Sequence, residues 1–269
     1  MARSKRTTLT VLLFGMLAWG AHAHAGLIGY YPLDGNFADA SGNGNNGVPG
    51  SSPPTFGPGE SGTAQDQGAV FTGTSVNQLL TLPININTYD QVTFGAWVRP
   101  TSANPILGIL GNDAGGFGRE IAIDNRSGTQ GYSAYDGAGV LGAGPISPAG
   151  FDFVAVVYNH AAGTDTLYVN GQKFTTTGTP PSGNAFLTVG NDANAGTPFG
   201  GTIDDIFVYD TALSDSEIAS IRQNGVSATS LVPLPAALPM AAIVLGCFGV
   251  YKMTENACRS RARLRQDRL

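Results

Sequence analysis

Residues 92–98 alternate in polarity: Val92, Phe94, Ala96 and Val98 fall on one side of an extended segment, Thr93, Gly95 and Trp97 on the other. That period of two predicts a strand with one face on a core. Phe153 to Tyr158 is a continuous apolar run and reads as a core strand. Thr166 to Val169 leads into Asn170-Gly171 and then Gln172-Lys173-Phe174. Asn-Gly between two such runs is a hairpin signal, because both turn positions need positive φ. Phe186 to Val189 and Ile203 to Tyr209 are further strands. Roughly ten to thirteen strands fit the body of the chain. One short helix is expected at Leu213–Ile218, with Ser214 as N-cap and Glu217 three residues later. It should end near Asn224-Gly225, where a Ser/Ala/Thr-rich linker begins. Short strands separated by Gly, Pro, Asn and Ser turns predict an all-β antiparallel sandwich or barrel.

The two ends follow other rules. Arg3, Lys5 and Arg6 precede an apolar stretch, Leu9 to Gly20, and then Ala23-His24-Ala25. Basic start, apolar core and small residues at Ala23 and Ala25 make a signal peptide, cut by signal peptidase after Ala25. At the other end Val232-Pro233-Leu234-Pro235-Ala236 precedes an apolar run to about Tyr251, and Lys252, Arg259, Arg261, Arg263, Arg265 and Arg268 follow. About sixteen apolar residues at roughly 1.5 Å each can cross a bilayer core, with the Arg cluster left cytoplasmic. The tail resembles a PEP-CTERM sorting signal of Val-Pro-Leu-Pro-Ala form. That resemblance implies processing by an exosortase in a Gram-negative bacterium, with passage from an inner-membrane intermediate to the cell surface or extracellular matrix. The organisation expected is therefore 1–25 signal peptide, 26–225 folded domain and 226–269 linker and sorting tail, with a transmembrane segment at about 236–251.

Charge sharpens the picture once the ends are set aside. Residues 26–235 hold five basic and seventeen acidic residues, a net charge of −12. No Lys or Arg cluster can track phosphates, so nucleic acid is excluded as a partner. Both cysteines, Cys247 and Cys258, lie in the tail. The domain has no disulfide and must rest on its core.

Several segments in order resemble the laminin-G-like, concanavalin A-like jelly-roll domains of bacterial surface proteins. They are Tyr30 to Gly35, Asp39 to Gly47, Val70 to Gly73, Phe94 to Pro100, Leu167 to Gly171, Phe199 to Ile206 and the Leu213 to Ile218 helix. Phe151-Asp152-Phe153 departs from the family, which usually carries a Trp-His pair there. The Asp39–Gly47 loop holds one carboxylate, three Asn and three Gly. Hard cations such as Ca²⁺ take about six to eight oxygens from such groups. The resemblance implies that this loop meets the Ile203-Asp204-Asp205 strand around a structural Ca²⁺. It makes Asp39 and Asp204 the favoured side-chain ligands, with Asn36, Asn43 and Asn45 contributing. Strand alternation puts Asp205 on the opposite face from Asp204.

Catalysis finds little support in the sequence. Glucanases of the superfamily carry Glu-x-Asp-x-x-Glu, and the nearest stretch here is Glu120-Ile121-Ala122-Ile123-Asp124. Ala122 stands at the middle carboxylate, so Glu120 and Asp124 read as solvated strand residues. His160 is the one histidine of residues 26–235, on a hairpin loop. Glycan binding needs an aromatic platform with polar groups. Tyr132 and Tyr135 are the exposed candidates, and Trp97 is either a platform or a framework residue. Gly111-Asn112-Asp113-Ala114 and Gly190-Asn191-Asp192-Ala193 repeat one another after apolar strands. They read as a duplicated turn, a rim or a second ion site. The function expected is a non-enzymatic, exported binding or adhesion module for a glycan or surface protein. A divergent glycoside hydrolase or lyase, or a purely structural matrix protein, are the alternatives.

Overall fold

A computed structural model of the chain describes residues 26–101, 106–115, 118–125, 131–135, 144–147, 150–178, 182–192 and 196–226. Ala23 and Ala25 of the expected signal peptide, the Val232–Ala236 motif and the expected transmembrane segment lie outside these.

Among the described residues there are fourteen strands, slightly more than the sequence suggests. They are β1 (Leu27–Tyr31), β2 (Val48–Pro49), β3 (Thr55–Pro58), β4 (Gln67–Thr72), β5 (Leu80–Leu82), β6 (Gln91–Pro100), β7 (Ile106–Gly111), β8 (Glu120–Asp124), β9 (Gly131–Tyr135), β10 (Asp152–Asn159), β11 (Thr164–Val169), β12 (Gln172–Thr177), β13 (Leu187–Val189) and β14 (Gly200–Tyr209). The surplus comes from pieces such as β2 and β5, two and three residues long, which carry too little periodicity to read.

The strands form two antiparallel sheets. One runs β12-β11-β10-β6-β14-β4-β3, with β1 also on β14; the other runs β2-β5-β13-β7-β8-β9. The alternation of β6 holds: Val92, Phe94, Ala96 and Val98 are all in the core cluster, beside Val154, Val156 and Tyr158 of β10. Full burial of a side chain such as Phe94 contributes roughly 1.5–3 kcal/mol. On the other side of β6, Gly95 is required for space. A Cβ there would stand 2.7 Å from the Phe207 ring, which crosses the sheet to stack on Phe153 at 5.9 Å. The hairpin between β11 and β12 turns at Asn170 and Gly171, φ +50 and +87, as Asn-Gly predicts.

The central strand β14 changes neighbours halfway. Gly200–Ile203 pair with β4, whereas Ile206–Tyr209 pair with β1. On its other edge the register with β6 shifts between Asp204 and Phe207, and Asp205 has φ +48. A bulge here interrupts simple alternation, so the two aspartates are not placed as a regular strand would place them.

The chain divides into two units at Asp215–Ser216. The sandwich belongs to the first. A helix, α1 (Asp215–Asn224), begins directly after Ser214, and its buried residues are Ile218 and Ile221. Gly225, φ +77, ends it with an N–H bonded to the Ile221 carbonyl.

Candidate functional site

The Asp39–Gly47 loop is held by its own carboxylate. Asp39 Oδ1 accepts from the Tyr30 and Ser41 N–H groups at 3.0 and 2.9 Å, and Oδ2 accepts from the Asn45 N–H at 2.9 Å. Burial opposes ionisation of Asp39, but the Ser41 hydroxyl and then these backbone donors outweigh it and hold the carboxyl below its ordinary range. Asn36 Oδ1 accepts from the Ala38 N–H, while the Asn43 and Asn45 amides donate to the Leu27 and Ile28 carbonyls. The loop is thus a set of Asx turns sewn to β1.

Asp204 stands in a different setting. It is fully buried; Oδ2 accepts from the Glu60 N–H at 2.8 Å and Oδ1 from the Asp205 N–H at 2.9 Å. Asp66 approaches from the same side: a Cβ on Gly59 would meet both Asp204 Oδ2 and the Asp66 carboxylate within 2.7 Å. Burial, then the charges of Asp205 and Asp66, push the Asp204 carboxyl up to about 7 against the backbone bonds that favour its ionised form. Asp205 is raised by burial and by Asp66 and Asp34, and Glu60 by burial and by Asp205 and Asp66. Asp39, Asn43 and Asn45 are gathered in one loop, and Asp204 is grouped with Asp66 and Glu60.

The aromatic candidates require correction. Tyr132 and Tyr135, expected to be exposed, are 0% and 4% exposed. Tyr132 lies in the core cluster and donates to the buried Asp152 carboxylate at 3.0 Å. Asp152 also accepts from Ser147 and from the Asn170 amide, which makes a buried polar knot around its carboxylate. Tyr135 points away from the core and donates to Asp124 at 2.7 Å. Trp97 is half-buried, edge-on to Phe153 at 5.3 Å. Of the three, it alone keeps appreciable exposure.

Glu120 and Asp124 are also not solvated; they are 3% and 1% exposed. Ile121 and Ile123 belong to the core, so Glu120, Ala122 and Asp124 share the outer face of β8. Ser133 and Tyr135 extend this polar row onto β9, paired with Ala122 and Glu120. Burial overrides the exposure that a polar strand face normally implies.

The duplicated turns meet at this row. β7 ends at Gly111 and β13 at Val189, and the two strands are neighbours, with Thr188 opposite Gly111. The turns that follow carry Asp113 and Asp192 to Glu120, which is itself opposite Gly111. Carboxylate oxygens of Asp113, Glu120 and Asp192 all lie within 4.8 Å of one another, and all three residues are buried. Asp113 Oδ1 also accepts from the Gly115 and Gly118 N–H groups at 3.1 and 2.8 Å. Burial, then the charges of Asp192 and Asp113, hold the Glu120 carboxyl well above its ordinary range. Gly108 makes room: a Cβ there would sit 2.7 Å from Glu120 Oε1. The repeated Gly-Asn-Asp was the only sequence signal for this cluster, and it says nothing of Glu120 or Gly108.

Two stacked antiparallel sheets with a buried polar row on an outer face define a lectin-like sandwich. Residues 71–219, more than half the chain, match the family model of the concanavalin A-like lectin/glucanases superfamily, and the chain belongs to that family. Among solved structures it is similar to domain 4 of AbnA, a GH43 extracellular arabinanase from Geobacillus stearothermophilus, in complex with arabinotriose. That match has a TM-score of 0.60 and 21% identity, over 74% of this chain and 100% of that one. The binding domain of Paraclostridial Mosquitocidal Protein 1 matches with TM-score 0.57 and 16% identity, over 73% of this chain. Trypanosoma rangeli sialidase matches with TM-score 0.54 and 16% identity, again over 73%. The chain spans 51% of the mosquitocidal binding domain and 32% of the sialidase. At these identities the likeness is one of fold. A comparison with curated proteins finds no match. Among the described residues no helix is long and apolar enough to cross a membrane.

Proposed function

We propose that the protein is an exported, non-enzymatic module that binds a glycan at the cell surface or in the extracellular matrix. The observation that carries this reading is the match of 74% of this chain to the whole of domain 4 of AbnA, a domain solved with arabinotriose. Two further features support it. The domain is strongly acidic, which suits a neutral ligand better than a polyanion, and Trp97 leaves aromatic surface partly open. Export rests on the two ends: signal peptidase acts after Ala25, and an exosortase processes the tail that carries the Val232–Ala236 motif. A structural Ca²⁺ belongs to the same reading on the side of Asp204, Asp66 and Glu60. There burial and like charge oppose ionisation, and a cation would offset both.

Affinity electrophoresis through neutral polysaccharides, arabinan included, tests the binding. Retardation by at least one of them is expected, and unchanged mobility in all of them overturns it. Mass spectrometry of the secreted form tests the processing, since mature protein should lack the Arg-rich end. A hydrolase reading has one observation in its favour: Glu120, whose carboxyl burial and like charge hold well above its ordinary range, lies beside two further carboxylates. Glu120 is 3% exposed, and a general acid must reach the glycosidic oxygen. Reducing-sugar release that disappears in Glu120→Gln would reverse this choice.

A further inference from the structure

We propose that Asp113, Glu120 and Asp192 form a cation site, separate from the Asp204 cluster, that takes a hard divalent ion of the Ca²⁺ class. Three buried carboxylates with ligand oxygens within 4.8 Å of one another are the first observation. A cluster of that kind costs free energy unless something compensates its charge. The second observation is independent. Asn112 and Asn191, which directly precede the two aspartates, are 0% and 3% exposed, and each holds an amide oxygen with no hydrogen-bond partner. Nearly all buried polar groups have partners, so an acceptor left in this state points to a ligand that is a Lewis acid.

The surroundings agree. The Arg119 guanidinium, next to Glu120 in sequence, donates to the Tyr89 carbonyl at 3.2 Å and lies over the Tyr158 ring. Asn112 Oδ1 stands 3.1 Å from where a Cβ of Gly118 would be, in the turn whose N–H groups orient Asp113. All of these donors are oxygens, which selects hard cations over Zn²⁺ or Cu²⁺. The site has a mechanical role as well. It ties the turn after β7, the start of β8 and the turn after β13 at one end of the six-stranded sheet.

Titration calorimetry of the purified full chain, stripped with chelator, is the test, with Ca²⁺, Mg²⁺ and Mn²⁺ as separate arms. Tb³⁺ luminescence sensitised by the nearby Tyr135 and Tyr158 reports site occupancy. The expected result is binding of at least one of the three ions, weakened at least about ten-fold by Glu120→Gln and by Asp192→Asn. Asp204→Asn should leave the sensitised Tb³⁺ signal in place, which separates this site from the other acidic cluster. Circular dichroism confirms that each variant is folded; if Asp192→Asn unfolds, the isosteric Glu120→Gln decides. Absence of binding by all three ions overturns the proposal. So does unchanged affinity in folded Glu120→Gln, or loss of the Tb³⁺ signal in Asp204→Asn with its retention in Glu120→Gln. Glycan retardation is read separately, so failure of either reading leaves the other distinguishable.

Discussion

The Tyr30 hydroxyl donates to Asp205 Oδ1 at 2.7 Å and joins the first strand to the bulge of β14, 175 residues away. Asp205 has φ +48, and its carboxyl is held above its ordinary range by burial and by Asp66 and Asp34, against the Tyr30 bond. Tyr30→Phe removes that donor and leaves the carboxylate facing like charges. The expected cost is about 1.5–3 kcal/mol, read from the urea midpoint at pH 7.5. Tyr30→Phe in an Asp205→Asn background should cost much less, and equal costs in both backgrounds would show that the bond is not what matters.

Asp204 makes stability depend on pH in a defined direction. Its folded value is pushed up to about 7, and the unfolded chain keeps the ordinary 3.8. Between these values the folded state holds a proton that the unfolded state has released. Stability therefore falls as pH rises through that window, and the penalty is fully present above it. In chelator, Tm should rise on going from pH 8 to pH 5.5, and Asp204→Asn should flatten the slope. Asp205, Glu60 and Glu120 act in the same sense, so a residual slope remains. An unaltered slope in Asp204→Asn would count against the assignment.

Two glycines with positive φ should respond differently to alanine. Gly42, φ +88, has open space where a Cβ would go, whereas a Cβ on Gly190, φ +79, would collide with the Phe71 ring. Gly42→Ala should cost only the left-handed backbone term, about 1–2 kcal/mol. Gly190→Ala adds overpacking of the core, about 1–3 kcal/mol more. Denaturant midpoints of the two variants, compared side by side, check the ranking.

Tyr132 should behave as a core residue and not as a sugar platform. Tyr132→Phe strips one donor from Asp152 and should cost about 1–3 kcal/mol. Tyr132→Ala also opens a cavity, for about 3–5 kcal/mol. Polysaccharide retardation of the folded fraction should not change in Tyr132→Phe. A selective loss of binding without loss of stability would return Tyr132 to the ligand site.

The strands, the Asn170-Gly171 hairpin, the inward faces of β6 and β10 and the short helix were legible in the chain itself. Each is fixed by local rules: a period of two, turn positions that need positive φ, a cap followed by apolar spacing. The same rules placed Glu120 in a strand but could not say what would cover it. Alternation gives the face of a side chain, and burial depends on which segments lie across that face. The tertiary structure alone decided that the Gly-Asn-Asp turns, far apart in sequence, would converge on Glu120, because β13 and β7 are neighbours in one sheet. It also set the bulge at Asp204–Asp205, where β14 exchanges one partner strand for another. Strand order is a non-local property of the packed sheets, so no local pattern in the sequence encodes the meeting of these carboxylates.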